Sequence, residues 1–497
     1  MEAMADEPKG PKSVPAHLLP LFRGKVSERT LESLEKALGA QTERISTSRV
    51  GRAVKLTAFA AKTGKTAFVG KMREAIVGPG SKAKAVEEAW SAEVAAEMLQ
   101  TFAELRGVTM KLGQMLSYLD DALPPEARKI LALLQRDAPP MPWATVEAQL
   151  ARELGRPVAE LFRSIETTPL AAASIGQVHR AVLLDGTQVA VKVQYPGIEE
   201  AMGADLKNAK VLSMFRGMFL FRTDMPAIMR ELEERFLDEC DYTKEADYQE
   251  TYRARFAGHP WIVVPEVHRA LTTKRVLVTT LHHGASFYEW LEGEPPPEVR
   301  ERMAKTFYRF YIGSFYLDGL FNCDPHPGNY LFQQDGRVVF LDYGCSRRFS
   351  PQRLEKWIEL CRAVYEDDAA RLERLAVELD FFGPGVDYDR ESFRQLMRYL
   401  YLPYLTDGPF HFSQHRPEDT FRRMFVDNPN LFKLNMPADA VFLNRIGFGL
   451  VSLLTQIGAP LDCRHQASSY FEGIDPEWPE DPLRGHTPVL ALARARR

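Results

Sequence analysis

The sequence predicts an α+β chain in two lobes, and three stretches carry the prediction. Asn322–Gly344 reads as a Pro/Gly-rich loop, a short hairpin and an Asp-Tyr-Gly turn. Leu170–Val193 reads as strands on either side of the turn at Asp185-Gly186. Long stretches of helical period fill much of the remainder, from Glu87 to Asp121 and again beyond Pro295.

Asn322–Gly344 organises the rest. Asp324 and Asn329 stand five residues apart in its loop. Tyr330–Phe332, a turn at Asp335-Gly336 and the strand Val338–Leu341 follow, and Asp342-Tyr343-Gly344 closes the unit. A loop Asp, an Asn five later, a hairpin and Asp-aromatic-Gly is the order of a kinase catalytic centre. The chemistry asks for these residue types. One Asp (Asp324) orients or deprotonates a hydroxyl, while Asn329 and Asp342 offer hard oxygens to Mg²⁺ on the phosphates. Taken alone the segment also fits a surface hairpin, because Asp-Gly turns are common. Its upstream counterparts decide for the bilobal, protein-kinase-like reading.

Composition narrows the function classes. The 497 residues are 45% hydrophobic and 26% charged, as in a globular protein of two to four domains. A net charge of −4 argues against a dedicated nucleic-acid binder. Five cysteines at 240, 323, 345, 361 and 463 form no CxxC pair, which argues against a disulfide scaffold or zinc knuckle and fits a reducing compartment. The start, MEAMADEPKGPKSVP, has no apolar core of a secretory signal, and Val441–Leu461 carries Asn444, Arg445 and Gln456, so it reads as a buried helix rather than a membrane span. A cytoplasmic protein, or one peripheral on the inner face of a membrane, is expected.

In chain order, residues 1–85 read as a flexible, then basic region. Arg44–Lys84 holds ten Lys/Arg against one acid, Glu74. Such a segment can lie on an anionic membrane or form a charged extension packed on the protein's own body. Residues 86–164 read as a helical extension. Lys111 and Gln114 share a face of its long helix, and Gly113 between them invites a close neighbour. Further helices are expected at Glu126–Ala138 and Trp143–Leu154. Residues 165–284 form the expected N-lobe with a helical insertion. Lys192 in Gln188–Val193 is placed to reach the α/β-phosphates. Met225–Arg255 reads as one acidic helix carrying Glu239, Asp241 and Glu245, the last as partner of Lys192. Ile262–Val267 and Arg275–Thr280 read as the remaining small-lobe strands. The connector follows at Leu281–Leu291, where backbone groups would read adenine. Residues 285–475 form a helix-rich C-lobe that includes a helix at roughly Glu298–Leu320, burying Phe307, Phe310, Tyr311, Phe315 and Tyr316. Residues 476–497 form a tail.

From about residue 90 to residue 470 the chain resembles the ABC1/UbiB/ADCK family of atypical kinases, also called coenzyme Q8 kinase-like. Lys111-Leu112-Gly113-Gln114 is similar to the family's KxGQ signature, and Ala171-Ala172-Ala173-Ser174 to the Ala-rich loop that replaces a glycine-rich one. Glu239-Cys240-Asp241 is similar to its ExD motif; Lys192, Glu245, Asp324, Asn329 and Asp342-Tyr343-Gly344 match the nucleotide lysine, its glutamate, the catalytic loop and DFG. The resemblance implies binding of ATP or ADP with Mg²⁺, and weak ATPase activity with little phosphorylation of proteins. It also implies a role in ubiquinone or other isoprenoid-lipid metabolism, often stimulated by membrane or lipid. Ala171–Gly176 would cover the phosphates, Thr280 would border the adenine, and Lys111 and Gln114 would form a gate latched by Glu239 and Asp241. Partners implied are a lipid or quinone precursor, an anionic membrane, and a second copy or quinone-biosynthesis proteins. A nucleotide-gated scaffold or lipid-handling protein without phosphotransfer uses the same residues and stays open. Three departures stand out. Val278–Leu281 lacks the family's usual Met-Glu pair. Asn322 replaces a frequent His. The C-terminal transmembrane helices of some bacterial members are missing, so any membrane contact is expected to be peripheral.

Overall fold

The computed structural model describes residues 141–173, 175–200, 237–414, 419–420, 422–431, 433–435 and 437–482. The chain divides into two compact units, Met1–Met141 with Gly197–Met214, and Pro142–Pro196 with Phe215–Arg497. The elements below belong to the second. The expected helices at Glu87–Asp121 and Glu126–Ala138, with Lys111 and Gln114, and the basic stretch Arg44–Lys84 lie outside the described residues, as does Ser174.

The N-lobe is built on an antiparallel sheet. Helices α1 (Trp143–Leu154) and α2 (Val158–Leu161) lead into β1 (Phe162–Ile165), β2 (Ala171–Ala173), β3 (Gly176–Leu183) and β4 (Gln188–Gln194). With β6 (Val276–Thr280) these form five strands in the order β1-β3-β4-β6, β2 pairing β3. Period-two alternation works as expected in β4: Val189, Val191 and Val193 are fully buried, and Lys192 sits on the other face. Each buried valine is worth ~1.5–3 kcal/mol. Gly176 is required by packing, because a Cβ there would lie 2.1 Å from the Val193 carbonyl oxygen.

Three expected elements come out differently. The helix expected over Met225–Arg255 is interrupted: after helical residues 237–239 the chain turns at Cys240, and α3 (Tyr242–Arg255) starts afresh. Asp241 causes the restart, since its extended backbone and its carboxylate, accepting from the Thr243 N–H at 3.0 Å, make it an N-cap. Ile262–Val267 does not join the N-lobe sheet. Only β5 (Ile262–Val263) is a strand, and it pairs in parallel with β9 (Val338–Phe340) of the C-lobe hairpin. Pro265 cannot donate to a ladder, and beyond it a single bridge, Val267 to Thr279, reaches the N-lobe. The helix expected to Leu320 is α-helical only in α5 (Pro297–Tyr308) and widens to a π-helix over Arg309–Asp318. Gly313 is pressed against Arg309, 2.7 Å from a Cβ to the Arg309 Cδ, so the wide turns accommodate a fully buried guanidinium. All five aromatics expected in this helix are buried.

In the connector, Ser286 and Glu289 form a capping box that starts α4 (Phe287–Glu292). The site hairpin is β8 (Tyr330–Phe332) and β9, with β7 (Leu320–Asn322) and β10 (Ser346–Arg348) paired beside it. The C-lobe then continues in α6 (Pro351–Tyr365), α7 (Ala369–Glu378), α8 (Arg390–Leu400), α9 (Leu402–Leu405), α10 (Ala438–Ile457) and α11 (Cys463–Phe471). Among the described residues no helix is long and apolar enough to cross a membrane.

Candidate functional site

Lys192 stands at the centre of the polar groups. Its Nζ donates to both Glu245 oxygens, at 2.8 and 3.0 Å, and lies 3.8 Å from Asp342 Oδ2. The Tyr242 ring lies 5.0 Å below the ammonium. Desolvation works against the charge, but the carboxylates of Glu245 and Asp342 outweigh it and hold Lys192 above the usual lysine range. Burial pushes the Glu245 carboxyl upward while Lys192 pulls it back. Both Glu245 oxygens accept from the same ammonium, so each group stabilises the charge of the other. Glu245 also sits in the first turn of α3, where the helix dipole favours a carboxylate.

The catalytic-loop candidates come from the turn after β7. Asn329 Nδ2 donates to the Asp324 carbonyl at 3.2 Å and to its Oδ2 at 3.3 Å, which leaves Asn329 Oδ1 as the end that can face a cation. The Tyr311 hydroxyl donates to the same Asp324 carbonyl at 3.3 Å and pairs with the Tyr330 hydroxyl at 2.6 Å. Asp342 Oδ1 accepts from the Gly344 N–H at 2.9 Å. Gly344 lies against Glu245, with the carboxylate oxygen Oε2 in van der Waals reach, 3.4 Å, of a Cβ placed there. Tyr343 is fully buried, 5.2 Å from the Tyr252 ring of α3, and its hydroxyl donates to the Phe340 carbonyl at 3.0 Å. That bond is why tyrosine serves here as well as phenylalanine.

The donor set fits Mg²⁺. This ion prefers oxygen and commonly takes only one or two carboxylates from protein, the rest from phosphate and water. Asp342 offers one carboxylate and Asn329 one amide oxygen, and among the described residues no cluster of three or more His, Cys, Asp or Glu offers an all-protein cage.

A family description, the ABC1 atypical kinase-like domain, matches residues 133–376. The chain belongs to this family. An uncharacterised protein of Synechocystis sp., slr0889, is 33% identical over 334 residues, 63% of this chain and 79% of its own. The atypical kinase COQ8B, mitochondrial, of Rattus norvegicus is 28% identical over 440 residues, 86% of this chain and 81% of its own. Among solved structures, the complex of Rv3197 with erythromycin from Mycobacterium tuberculosis is 26% identical with a TM-score of 0.55, covering 78% of this chain and 98% of that one. The bilobal kinase-like arrangement is thus shared with a solved member of the fold.

Within this ABC1 chain, Lys192, Glu245 and Asp342 converge, and so do Asp324 and Asn329. Ala171 and Ala172 are exposed on β2. Asp241 caps α3 through its Oδ1, and Glu239 lines a cavity of about 270 Å³ with Asp238, Lys244, Glu245, Cys345 and Arg347. Thr280 borders the connector; its N–H donates to the Glu266 carbonyl and that of Leu281 to the Gln188 carbonyl. Gly284 follows there, pressed 2.7 Å from the Phe332 carbonyl oxygen to a Cβ, and Ala285 bridges to Phe332. Sequence reasoning missed Gln194, whose buried amide donates to the Cys240 and Lys274 carbonyls and ties β4 to the approach of α3. It also missed the Tyr311–Tyr330 pair. A polar residue at the buried end of an otherwise apolar strand was the available signal for Gln194.

Proposed function

We propose that this protein is an ATP-dependent atypical kinase or ATPase that binds ATP or ADP with Mg²⁺ and passes the γ-phosphoryl group to water or a small hydroxyl acceptor. The observation that carries the reading is the partly buried Lys192–Glu245 pair, whose ammonium lies 3.8 Å from Asp342, a charge arrangement suited to nucleotide phosphates. Lys192 neutralises the α/β-phosphates, and Glu245 fixes its direction. Asp342 and Asn329 hold the metal, which when bound offsets charge on the phosphate oxygens. Asp324 receives the hydroxyl proton as that oxygen bonds to the γ-phosphorus and the bond to the β,γ-bridging oxygen breaks. Ala171–Ser174 with Gly176 cover the phosphates, and Thr280 borders the base. Lys111 and Gln114 lie outside the described residues; Glu239 and Asp241 are the carboxylates of the described part to which the regulatory role is assigned. The acceptor class that the family resemblance supports is a lipid or isoprenoid quinone precursor, met at a membrane surface through Arg44–Lys84.

Phosphate release tests this. Asp342→Asn should abolish ATP hydrolysis while the thermal unfolding midpoint stays within about 2 °C, as expected for a partly exposed group. Unchanged release by that variant would overturn the assignment. Incubation with ATP and isoprenoid alcohols, read by mass spectrometry, separates a phosphorylated acceptor from simple hydrolysis.

A further inference from the structure

Two cysteines flank the acidic residues of the proposed site. Cys323 directly precedes Asp324, and Cys345 directly follows Asp342-Tyr343-Gly344. The β7–β10 ladder sets them opposite one another. Its register pairs Arg348 with Leu320, Arg347 with Phe321 and Ser346 with Asn322, so the next position faces Cys345 with Cys323. There the Cys323 N–H donates to the Cys345 carbonyl at 3.0 Å, while the Ser346 N–H closes the preceding turn on the Tyr343 carbonyl at 3.1 Å. Residues facing each other across a hydrogen-bonded position have Cα atoms ~5.5 Å apart, inside the ~4.4–6.8 Å that a disulfide spans. Both cysteines are reduced in this structure.

We infer that Cys323 and Cys345 are a redox modification site, closing reversibly into a disulfide that slows the proposed reaction. The bond stands on the ladder; its effect on turnover rests on the Mg-nucleotide reading above. The two thiols differ in access. Cys323 is fully buried, whereas Cys345 is half-buried and lines the cavity of about 270 Å³ beside α3. Cys345 is therefore the thiol that an oxidant meets, and Cys323 the one that resolves. With a low-molecular-weight disulfide as oxidant, the Cys345 sulfur attacks one of its sulfurs and expels the first small thiol. The Cys323 sulfur then attacks the Cys345 sulfur and expels the second. Two electrons and two protons pass from the protein thiols to the oxidant, which leaves as two thiols.

Closure moves the site. Facing Cβ atoms at a hydrogen-bonded position lie ~5.5 Å apart, against ~3.8 Å in a disulfide, so the two segments must approach by more than ~1 Å. Asp324 is the next residue after Cys323, and Asp342 precedes Cys345 by one turn. A displacement of that size at reacting groups lowers turnover by ~100-fold. The same mismatch makes the bond easy to reduce, which is the behaviour of regulatory rather than structural disulfides. A reducing compartment keeps the pair as thiols until oxidant rises.

The test incubates the full chain with oxidised glutathione, blocks the remaining thiols with iodoacetamide, and maps peptides by mass spectrometry without reductant. A linked Cys323–Cys345 peptide is expected, with a fall in phosphate release of at least about tenfold that dithiothreitol reverses. Cys345→Ser should keep the phosphate release of the unsubstituted protein and lose its response to oxidant. Glutathione on Cys345 without a linked peptide, or linkage to a different cysteine, would overturn the pairing. A linked peptide with unchanged phosphate release would overturn the regulatory role. If the reduced protein releases no phosphate from ATP, the nucleotide reading falls, while the linked peptide still decides the pairing. Should the serine variant fail to fold, the linked peptide and its reversal by dithiothreitol in the unsubstituted protein still decide.

Discussion

Replacing Glu245 by glutamine probes the site at its tightest point. The substitution keeps the volume and one acceptor but removes the charge that faces Lys192. At an effective dielectric constant of 20, the attraction across 2.8 Å is ~6 kcal/mol, and that of Asp342 across 3.8 Å is ~4 kcal/mol. The first is lost, but so is the several-kcal/mol cost of keeping a 5% exposed carboxylate out of water. The net loss of stability should be ~2 kcal/mol, below the 3–5 kcal/mol typical of a broken buried pair, because Asp342 still faces the ammonium. Lys192 has its proton affinity raised in the fold, so its contribution is fully present below the unfolded lysine value of about 10.4 and is lost only as pH rises through the higher folded value. The Lys192 part of the loss should therefore be constant between pH 6 and pH 9. Function should suffer more than stability. Freed from α3, Lys192 turns to Asp342 and competes with the metal, so Mg-nucleotide affinity should fall by at least about tenfold. Urea unfolding and nucleotide titration measure both quantities. A stability change below ~0.5 kcal/mol with unchanged Mg-nucleotide affinity would refute the reasoning.

Three other predictions concern the frame of the site. Asp481 is buried and grips Arg255, at the end of α3, with both oxygens at 2.9 and 2.5 Å; Asp481→Asn should cost ~2–3 kcal/mol in urea unfolding and alter the fluorescence of Trp478, which stacks on that guanidinium. His259 is pushed down to about 3 by desolvation and then by the Arg309 and Arg255 charges, and its Nδ1 accepts from the Trp261 and Ile262 N–H groups at 3.1 Å. The unfolded chain binds this proton first, so stability should fall as pH drops from ~6.5 towards about 3, by up to ~1.4 kcal/mol per pH unit, and His259→Asn should flatten that slope. Gly449 of α10 faces Pro325, where an added Cβ would lie 2.4 Å from the ring, so Gly449→Ala should cost ~1–3 kcal/mol and displace the Asp324 loop, lowering phosphate release severalfold.

The hairpin and its polar residues were legible because their chemistry is local in sequence. Asp324, Asn329 and Asp342 are fixed by one loop and one turn, and period two in Gln188–Val193 is enough to turn Lys192 away from the three buried valines. What was not legible depends on partners far along the chain. Cys240-Asp241 breaks an apparently continuous helix because a capping carboxylate competes with helix propagation, and helical period alone does not see that competition. Ile262–Val263 has strand composition, but the choice of sheet lies in tertiary pairing with Val338–Val339. Arg309 in a run of aromatics looks like a snorkelling surface residue, yet Asp318 and Asp475 receive it in the core.

These distant partners explain how separate elements deliver one site. Lys192 arrives on β4, Glu245 on α3, Asp324 after β7 and Asp342 after β9. Carboxylates repel one another and would not hold such an arrangement by themselves. Neutral groups therefore set the spacing: the Gln194 amide joins β4 to the start of α3, the Asn322 amide joins the two aspartate segments, and the Ala285–Phe332 bridge seats the connector on the hairpin. The ion pairs of Arg255 with Asp318 and Asp481, and of Arg309 with Asp318, anchor the C-terminal end of α3, the opposite end of that helix from Glu245. A site built this way keeps its acidic groups apart before any cation arrives. Among the described residues, Lys192, held by Glu245 and facing Asp342 across 3.8 Å, is the cation that the geometry already orients between these carboxylates.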